Sequence, residues 1–143
     1  MAKRILVPLE GAARNEAIVP IISAMADHLG STVRLLRVFP VPEVVMGPHG
    51  RTIAYADREM ERVAGVARVD LARIESELRG VSVESVVRFG DPVEEIVLEA
   101  EAFDADLIAL AGTRRGRLRR ALSADVADRV SEKTSTPTLV LRD

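Results

Sequence analysis

The chain has 143 residues, and its 20 Lys and Arg nearly balance its 22 Asp and Glu, giving a formal net charge of −2. The length suits one hydrophobic core, so we expect a single domain over residues 1–143. Balanced charge and 3% aromatic content argue against nucleic acid as a partner. The absence of cysteine excludes disulfides and thiolate chemistry. No apolar run is long enough for a membrane span, so we expect no membrane contact, and the lack of cysteine predicts a cytoplasmic location.

Strand-like and helix-like segments alternate along the chain. Residues 4–9 form a continuous apolar run, typical of a parallel strand covered on both faces. Strands separated by helices favour right-handed crossovers, so the pattern predicts a doubly wound α/β fold with a parallel sheet and helices on both faces. The predicted strands are 4–9, 32–39, 81–88, 107–111 and 138–141, and the predicted helices are 15–29, 52–79, 92–103 and 123–134.

Two residues mark helix ends in the sequence. Gly30 follows the first apolar-periodic segment and is predicted to stop that helix. Asp91 precedes Pro92 at the start of the third helix, which is the usual order of an N-cap residue and a proline in the first turn. The connection over 41–51 is rich in proline and glycine and is predicted to be irregular.

Ligands of such folds bind beyond the carboxyl ends of the strands, where the strand order reverses. Glu10 follows the first strand, where its carboxylate either grips a ribose or base or is a solvated loop acid. A glycine loop follows the fourth strand, and loops of this kind hold phosphate with backbone N–H groups. We interpret this loop either as an anion site or as a surface that pairs with acids of another subunit. Its arginines are Arg114, Arg115, Arg117, Arg119 and Arg120.

The sequence gives little support to an enzyme. His28 and His49 have no acid or nucleophile partner in the pattern, and Ser123 and Ser131 lie outside any Gly-x-Ser-x-Gly motif. Neither the Walker phosphate-binding loop nor the Gly-x-Gly-x-x-Gly dinucleotide motif occurs. We therefore predict no catalytic residue and no protein-bound metal site.

Six motifs give the chain a resemblance to the universal stress proteins over nearly its whole length. The resemblance implies a five-stranded parallel sheet of order 3-2-1-4-5 and a homodimer joined through the last strands. In one subgroup it also implies ATP between the ends of strands one and four. The motifs, in chain order, are Ile5-Leu6-Val7-Pro8, Leu35-Leu36-Arg37-Val38, Gly90-Asp91-Pro92, Ala105-Asp106-Leu107-Ile108, Val126-Ala127-Asp128-Arg129-Val130 and Thr136-Pro137-Thr138-Leu139-Val140-Leu141.

The chain departs from the Gly-x2-Gly-x9-Gly-Ser/Thr motif of the ATP-binding subgroup. Gly112 matches its first glycine, but Gly116 arrives one residue late. Ala124 and Asp125 stand at the third glycine and the hydroxyl, so a methyl group and a carboxylate face the expected phosphates unless Mg²⁺ bridges them. Glu10 replaces the usual Asp of strand one. These changes predict an ATP affinity that is weakened, lost or shifted to a smaller nucleotide.

Our leading hypothesis is a regulatory dimer of the universal stress protein type that binds ATP or AMP weakly. The alternative is an interaction module of the same fold that binds no nucleotide and contacts a partner through its arginine loop. For the nucleotide, the resemblance assigns the base and ribose to the first two strands and the phosphates to the segments after strand four. The residues assigned are Pro8, Leu9, Glu10, Val38, Gly112, Arg114, Gly116, Ala124 and Asp125.

Overall fold

The structure, a computed structural model, describes residues 3–10, 12–42, 52–112 and 121–142; the side chains of 12–17, 52–55, 112, 121–125 and 142 lie outside that description. Strands and helices alternate strictly within it. The elements are β1 (Arg4–Leu9), α1 (Ala12–Leu29), β2 (Thr32–Phe39), α2 (Thr52–Glu77), β3 (Ser82–Phe89), α3 (Pro92–Phe103), β4 (Leu107–Gly112), α4 (Ala121–Lys133) and β5 (Thr138–Arg142).

The described strands form one five-stranded parallel sheet of order β3-β2-β1-β4-β5. The central strand, β1, pairs with β2 on one side and with β4 on the other. Residue Leu9 at the end of β1 lies opposite Arg37 of β2. The doubly wound α/β fold and the strand order predicted above are confirmed.

Most predicted boundaries agree with the structure within two residues. The largest difference is α1, which begins at Ala12, three residues before the predicted start. Residues 12–14 are good helix formers that lie outside the apolar repeat, so periodicity alone does not detect them. Helix α2 ends at Glu77, two residues before its predicted end. Gly80 takes a positive φ of +77° in the turn that follows.

The helix ends carry the predicted caps. Asp91 is the N-cap of α3, and its carboxylate accepts the N–H of Glu94 at 3.0 Å. Gly30 follows α1 with a φ of +67°, a value that favours glycine. Asp104 closes α3 with a left-handed φ of 57°. None of the helices that the structure describes is long and apolar enough to cross a membrane.

Two apolar cores cover the two faces of the sheet. Alternation along β1 sends Ile5, Val7 and Leu9 to one face and Leu6 to the other. The first core contains residues of α1 and α2, such as Leu71, and the second contains residues of α3 and α4. The central strands of the sheet are thus buried on both faces.

Candidate functional site

A cavity of about 280 Å³ opens at the carboxyl ends of β1, β2 and β4. Strand β1 supplies its last residues and the one that follows, and α3 and α4 supply the opposite walls. The lining residues are Pro8, Leu9, Glu10, Leu36, Arg37, Val38, Pro92, Ile96, Leu110, Ala111 and Val126.

The topology explains why the cavity lies there. After β1 the chain enters α1, which packs on one face of the sheet, whereas the chain after β4 leads to α4 on the other face. The segments that leave these two neighbouring strands therefore diverge. A crevice between strands whose connections diverge is the usual ligand site of an open parallel sheet.

The inner walls of the cavity are apolar. Leu36, Ile96 and Leu110 are buried there, and Val38 and Val126 are partly buried against the same core. Their side chains belong to β2, α3, β4 and α4, so four elements enclose the space. Apolar walls of this kind suit a flat ring such as a nucleobase, with polar groups at the rim to fix its orientation.

A carboxylate stands at the rim of the cavity, at the end of a strand whose neighbour carries an arginine. Glu10 is exposed at the end of β1 and lies within electrostatic range of Arg37 on β2. Burial lowers the pKa of the Arg37 guanidinium, and the charges of Asp70 and Glu10 partly oppose that effect. The guanidinium lies 4.7 Å from the centre of the Phe39 ring. Glu10 thus gives the rim a carboxylate, whereas alternation along β2 places the Arg37 side chain on the opposite face of the sheet from Val38, near Asp70 of α2.

The structure brings four of the nine assigned residues together. Pro8, Leu9, Glu10 and Val38 all line the cavity. Gly112 is the last residue of β4. Ala124 and Asp125 belong to the first turns of α4, although their side chains lie outside the description. Arg114 and Gly116 lie outside the described residues.

Sequence reasoning missed seven of the 11 residues that line the cavity. Leu36 and Leu110 appear in the sequence only as apolar strand residues, and their alternation does not tell which of them ends beneath a ligand site. Pro92 and Ile96 are detectable only once α3 is placed over β1 and β2. The missed lining residues are Leu36, Arg37, Pro92, Ile96, Leu110, Ala111 and Val126.

The described part of the chain contains no group of three or more His, Asp or Glu side chains placed to hold a metal ion. Glu10 is the acidic residue that lines the cavity.

Comparison with known proteins identifies the relatives of the chain. A sequence profile of the Universal stress protein family matches residues 1–142. No protein of the curated set matches significantly.

Several solved structures share the fold of this chain at low sequence identity. The hypothetical protein MJ0577 has a TM-score of 0.82 and 24% identity, with 99% of this chain and 96% of that chain covered. A universal stress protein in complex with cAMP has a TM-score of 0.64 and 18% identity, covering 98% and 96%. The universal stress protein from Archaeoglobus fulgidus in complex with dAMP has a TM-score of 0.63 and 18% identity, covering 96% of each chain. At these identities the similarity shows a common fold.

Proposed function

The chain belongs to the universal stress protein family, and from that premise we propose that it binds an adenine nucleotide weakly and acts as a cytoplasmic regulatory homodimer. The proposal takes residues 1–143 as one domain. It assigns the chain no catalytic residue and no nucleic-acid or membrane partner. The nucleotide is AMP or ATP, and the base and ribose enter the cavity at the ends of β1, β2 and β4.

The observation that carries this proposal is the cavity itself. Its apolar walls fit a base, and Glu10 stands at the rim, where a carboxylate accepts hydrogen bonds from ribose hydroxyls. Pro8, Leu9 and Val38 complete the base end. Two relatives of the same fold are complexes with cAMP and with dAMP, both adenine nucleotides.

The phosphate end explains why we expect weak binding. In the proposal, Gly112, Arg114 and Gly116 surround the phosphates from the β4 side, and Ala124 and Asp125 from the α4 side. The Asp125 carboxylate repels a triphosphate unless Mg²⁺ stands between them, and the repulsion grows with the charge of the phosphate chain. We therefore propose AMP as the better ligand without magnesium.

We propose that the dimer forms through β5. This short strand lies at one edge of the sheet, where it pairs with β4 alone among the described strands. An edge strand of apolar residues tends to associate, and pairing with its copy about a two-fold axis removes the edge.

Isothermal titration calorimetry with AMP, ATP and GMP tests nucleotide binding. We expect AMP to bind with a Kd of roughly 10 μM to 1 mM, which corresponds to about 4 to 7 kcal/mol. ATP should bind more weakly than AMP without Mg²⁺ and should gain affinity when Mg²⁺ is added. Failure of GMP to compete separates recognition of the base from attraction of any anion to the arginine loop.

A pair of valine variants locates the site. Val38→Phe adds a ring to the wall of the cavity, and it should weaken AMP binding at least tenfold. Val41→Phe makes the same change three residues later at a side chain that is 58% exposed, and it should leave the affinity unchanged. If the wild type binds neither AMP nor ATP, the nucleotide proposal is wrong and the interaction module becomes the better hypothesis.

Cysteine cross-linking tests the dimer, because the chain has no native cysteine. Thr138→Cys places one thiol on β5, and Ser82→Cys places one on β3 at the opposite edge. A short bismaleimide should join two Thr138→Cys chains and leave Ser82→Cys monomeric on a denaturing gel. A sedimentation measurement that finds only monomer at micromolar concentration would contradict the proposal.

A further inference from the structure

Helix α3 has one side at the cavity and another side over β2 and β3. Pro92 and Ile96 line the cavity. Glu95 and Glu99 extend from the same turns toward arginines on β2 and β3. Any contact that moves this second side also moves the wall of the cavity, because both sides belong to one rigid helix.

Five charged side chains form an ion-pair chain that we name the Glu99 cluster: Glu84, Arg34, Glu99, Arg88 and Glu95, in spatial order. Glu99, whose side chain is 4% exposed, accepts from Arg34 at 2.5 Å with one carboxylate oxygen and from Arg88 at 2.6 Å with the other. Arg88 also donates to Glu95 at 2.7 Å, and Arg34 donates to Glu84 at 2.9 and 3.1 Å. Both arginines thus join α3 to the sheet.

Ionisation strengthens these contacts. Hydrogen bonds to Glu95, and next to Glu99, raise the pKa of Arg88. Burial lowers the pKa of Arg34, but its hydrogen bonds to Glu99 and Glu84 raise it by more, so the net direction is upward. Charge-assisted hydrogen bonds at these lengths are about twice as strong as neutral ones.

The two ends of the Glu99 cluster lie at different distances from the cavity. Arg88 is the register partner of Val38, a residue of the cavity wall. Glu84 lies four residues earlier on β3, about 13 Å toward the amino ends of the strands at 3.3 Å per residue. The cluster therefore has a near end, Arg88 with Glu95, and a far end, Arg34 with Glu84.

The near end also contacts the turn that leads into α3. Gly90 donates its N–H to the carbonyl of Phe39 at 2.9 Å, and its φ is +148°. A Cβ atom at Gly90 would stand 2.8 Å from a carboxylate oxygen of Glu95. The Glu95 side chain is therefore packed on the backbone of this turn while it is bonded to Arg88, so little room is left for α3 to shift toward β3.

We propose that Arg88 and Glu95 are positioning residues for the nucleotide cavity, which set the separation between Ile96 on α3 and Val38 on β2. The inference rests on the proposed function, because it assigns these residues to the same cavity. Neither residue lines the cavity. They act through the placement of the first turns of α3.

A matched pair of charge-neutral variants tests the proposal. Glu95→Gln removes one carboxylate at the near end, and Glu84→Gln removes one at the far end. AMP affinity should fall roughly three- to tenfold in Glu95→Gln, because part of one charge-assisted contact is lost. In Glu84→Gln the affinity should stay within about twofold of the wild-type value. Arg88→Met should weaken AMP binding at least as much as Glu95→Gln, and Arg88→Lys, which keeps the charge, should recover part of the affinity.

A second measurement needs no nucleotide. Methyl NMR spectra of the free protein should show larger shifts of the Ile96 and Val38 signals in Glu95→Gln than in Glu84→Gln. Equal shifts in the two variants, or unchanged AMP affinity in Glu95→Gln, would overturn the positioning role. If the wild type binds neither AMP nor ATP, the proposed function fails, and the methyl comparison still decides whether the near end positions α3.

Discussion

The two faces of the sheet are packed by different kinds of contact. On the face covered by α1 and α2, the core contains buried apolar side chains such as Ile22 and Leu71. A polar contact there, from Ser85 to Glu75, is only partly buried. The face covered by α3 and α4 has a similar apolar core, but it also buries Glu99, which is only 3% exposed. The cavity lies on this second face, between Leu36, Leu110 and α3.

This difference indicates a division of roles between the faces. The apolar core beneath α1 and α2 contributes mainly to stability. On the α3/α4 face, ion pairs of 2.5 to 2.7 Å at Glu99 and Glu95 supply contacts that depend strongly on direction and fix the helix beside the cavity.

The largest effect should come from the apolar face. Leu71→Ala removes a side chain that is 1% exposed and leaves a cavity, so it should lower the free energy of unfolding by about 2 to 5 kcal/mol. Val69→Ala, at a side chain of the same helix that is 63% exposed, should change it by less than about 0.5 kcal/mol. Urea denaturation followed by circular dichroism measures both. A large loss in Val69→Ala would mean that the outer side of α2 is covered in solution.

The next effect tests the charged face. Arg34→Met leaves Glu99 with Arg88 as its remaining partner in the cluster and removes a guanidinium 4.1 Å from the centre of the Phe103 ring. We expect a loss of about 1 to 3 kcal/mol, less than for a buried ion left without any partner.

The double variant Arg34→Met/Glu99→Leu sharpens the same comparison. Each single variant loses the contact between Arg34 and Glu99, and Glu99→Leu also loses the contact with Arg88, so the double variant should lose less than the sum of the two single losses. Losses that add in the double variant would mean that Glu99 contributes to stability independently of Arg34. The same urea denaturation gives all three values.

The two faces also differ in how far the sequence predicts them. Continuous apolar runs predict the strands, helical periodicity predicts the helices, and the family motifs predict the strand order, because these signals are local or follow the chain in fixed sequence. The Glu99 cluster gives no such signal, since Arg34 and Glu99 are 65 residues apart. The sequence alone does not distinguish Glu95 from the other charged surface residues of a helix. Four cavity residues were predicted through the resemblance, whereas Ile96 and Leu110 required the packing of α3 and β4.

A smaller effect should follow from the cap of α3. Asp91→Ala removes the carboxylate that accepts the N–H of Glu94 at 3.0 Å, so it should lower the free energy of unfolding by about 1 kcal/mol. Asp91→Ser keeps an acceptor and should lose only a few tenths of that amount. Thermal unfolding compares the two. Equal losses would mean that the charge of Asp91 at the helix start, rather than its hydrogen bond, stabilises α3.

The smallest effect concerns acid pH, at the end of the sheet away from the cavity. The Asp106 carboxylate accepts the N–H groups of Lys3 at 2.9 Å and Arg4 at 3.0 Å, and these bonds hold its pKa below the usual 3.8. A carboxylate whose pKa is lower in the folded state stabilises the fold above its unfolded pKa, and this contribution is lost as the pH falls through the folded pKa. Asp106→Asn should therefore be less stable than the wild type at pH 7, and the difference should shrink below about pH 4.

Urea denaturation at pH 7, 4 and 2.5 measures this difference in stability. Asp104→Asn, at a residue whose side chain is 92% exposed, is the control for losing one nearby charge. A difference that stays constant down to pH 2.5 would mean that the Asp106 carboxylate has the same pKa in the folded and unfolded chains.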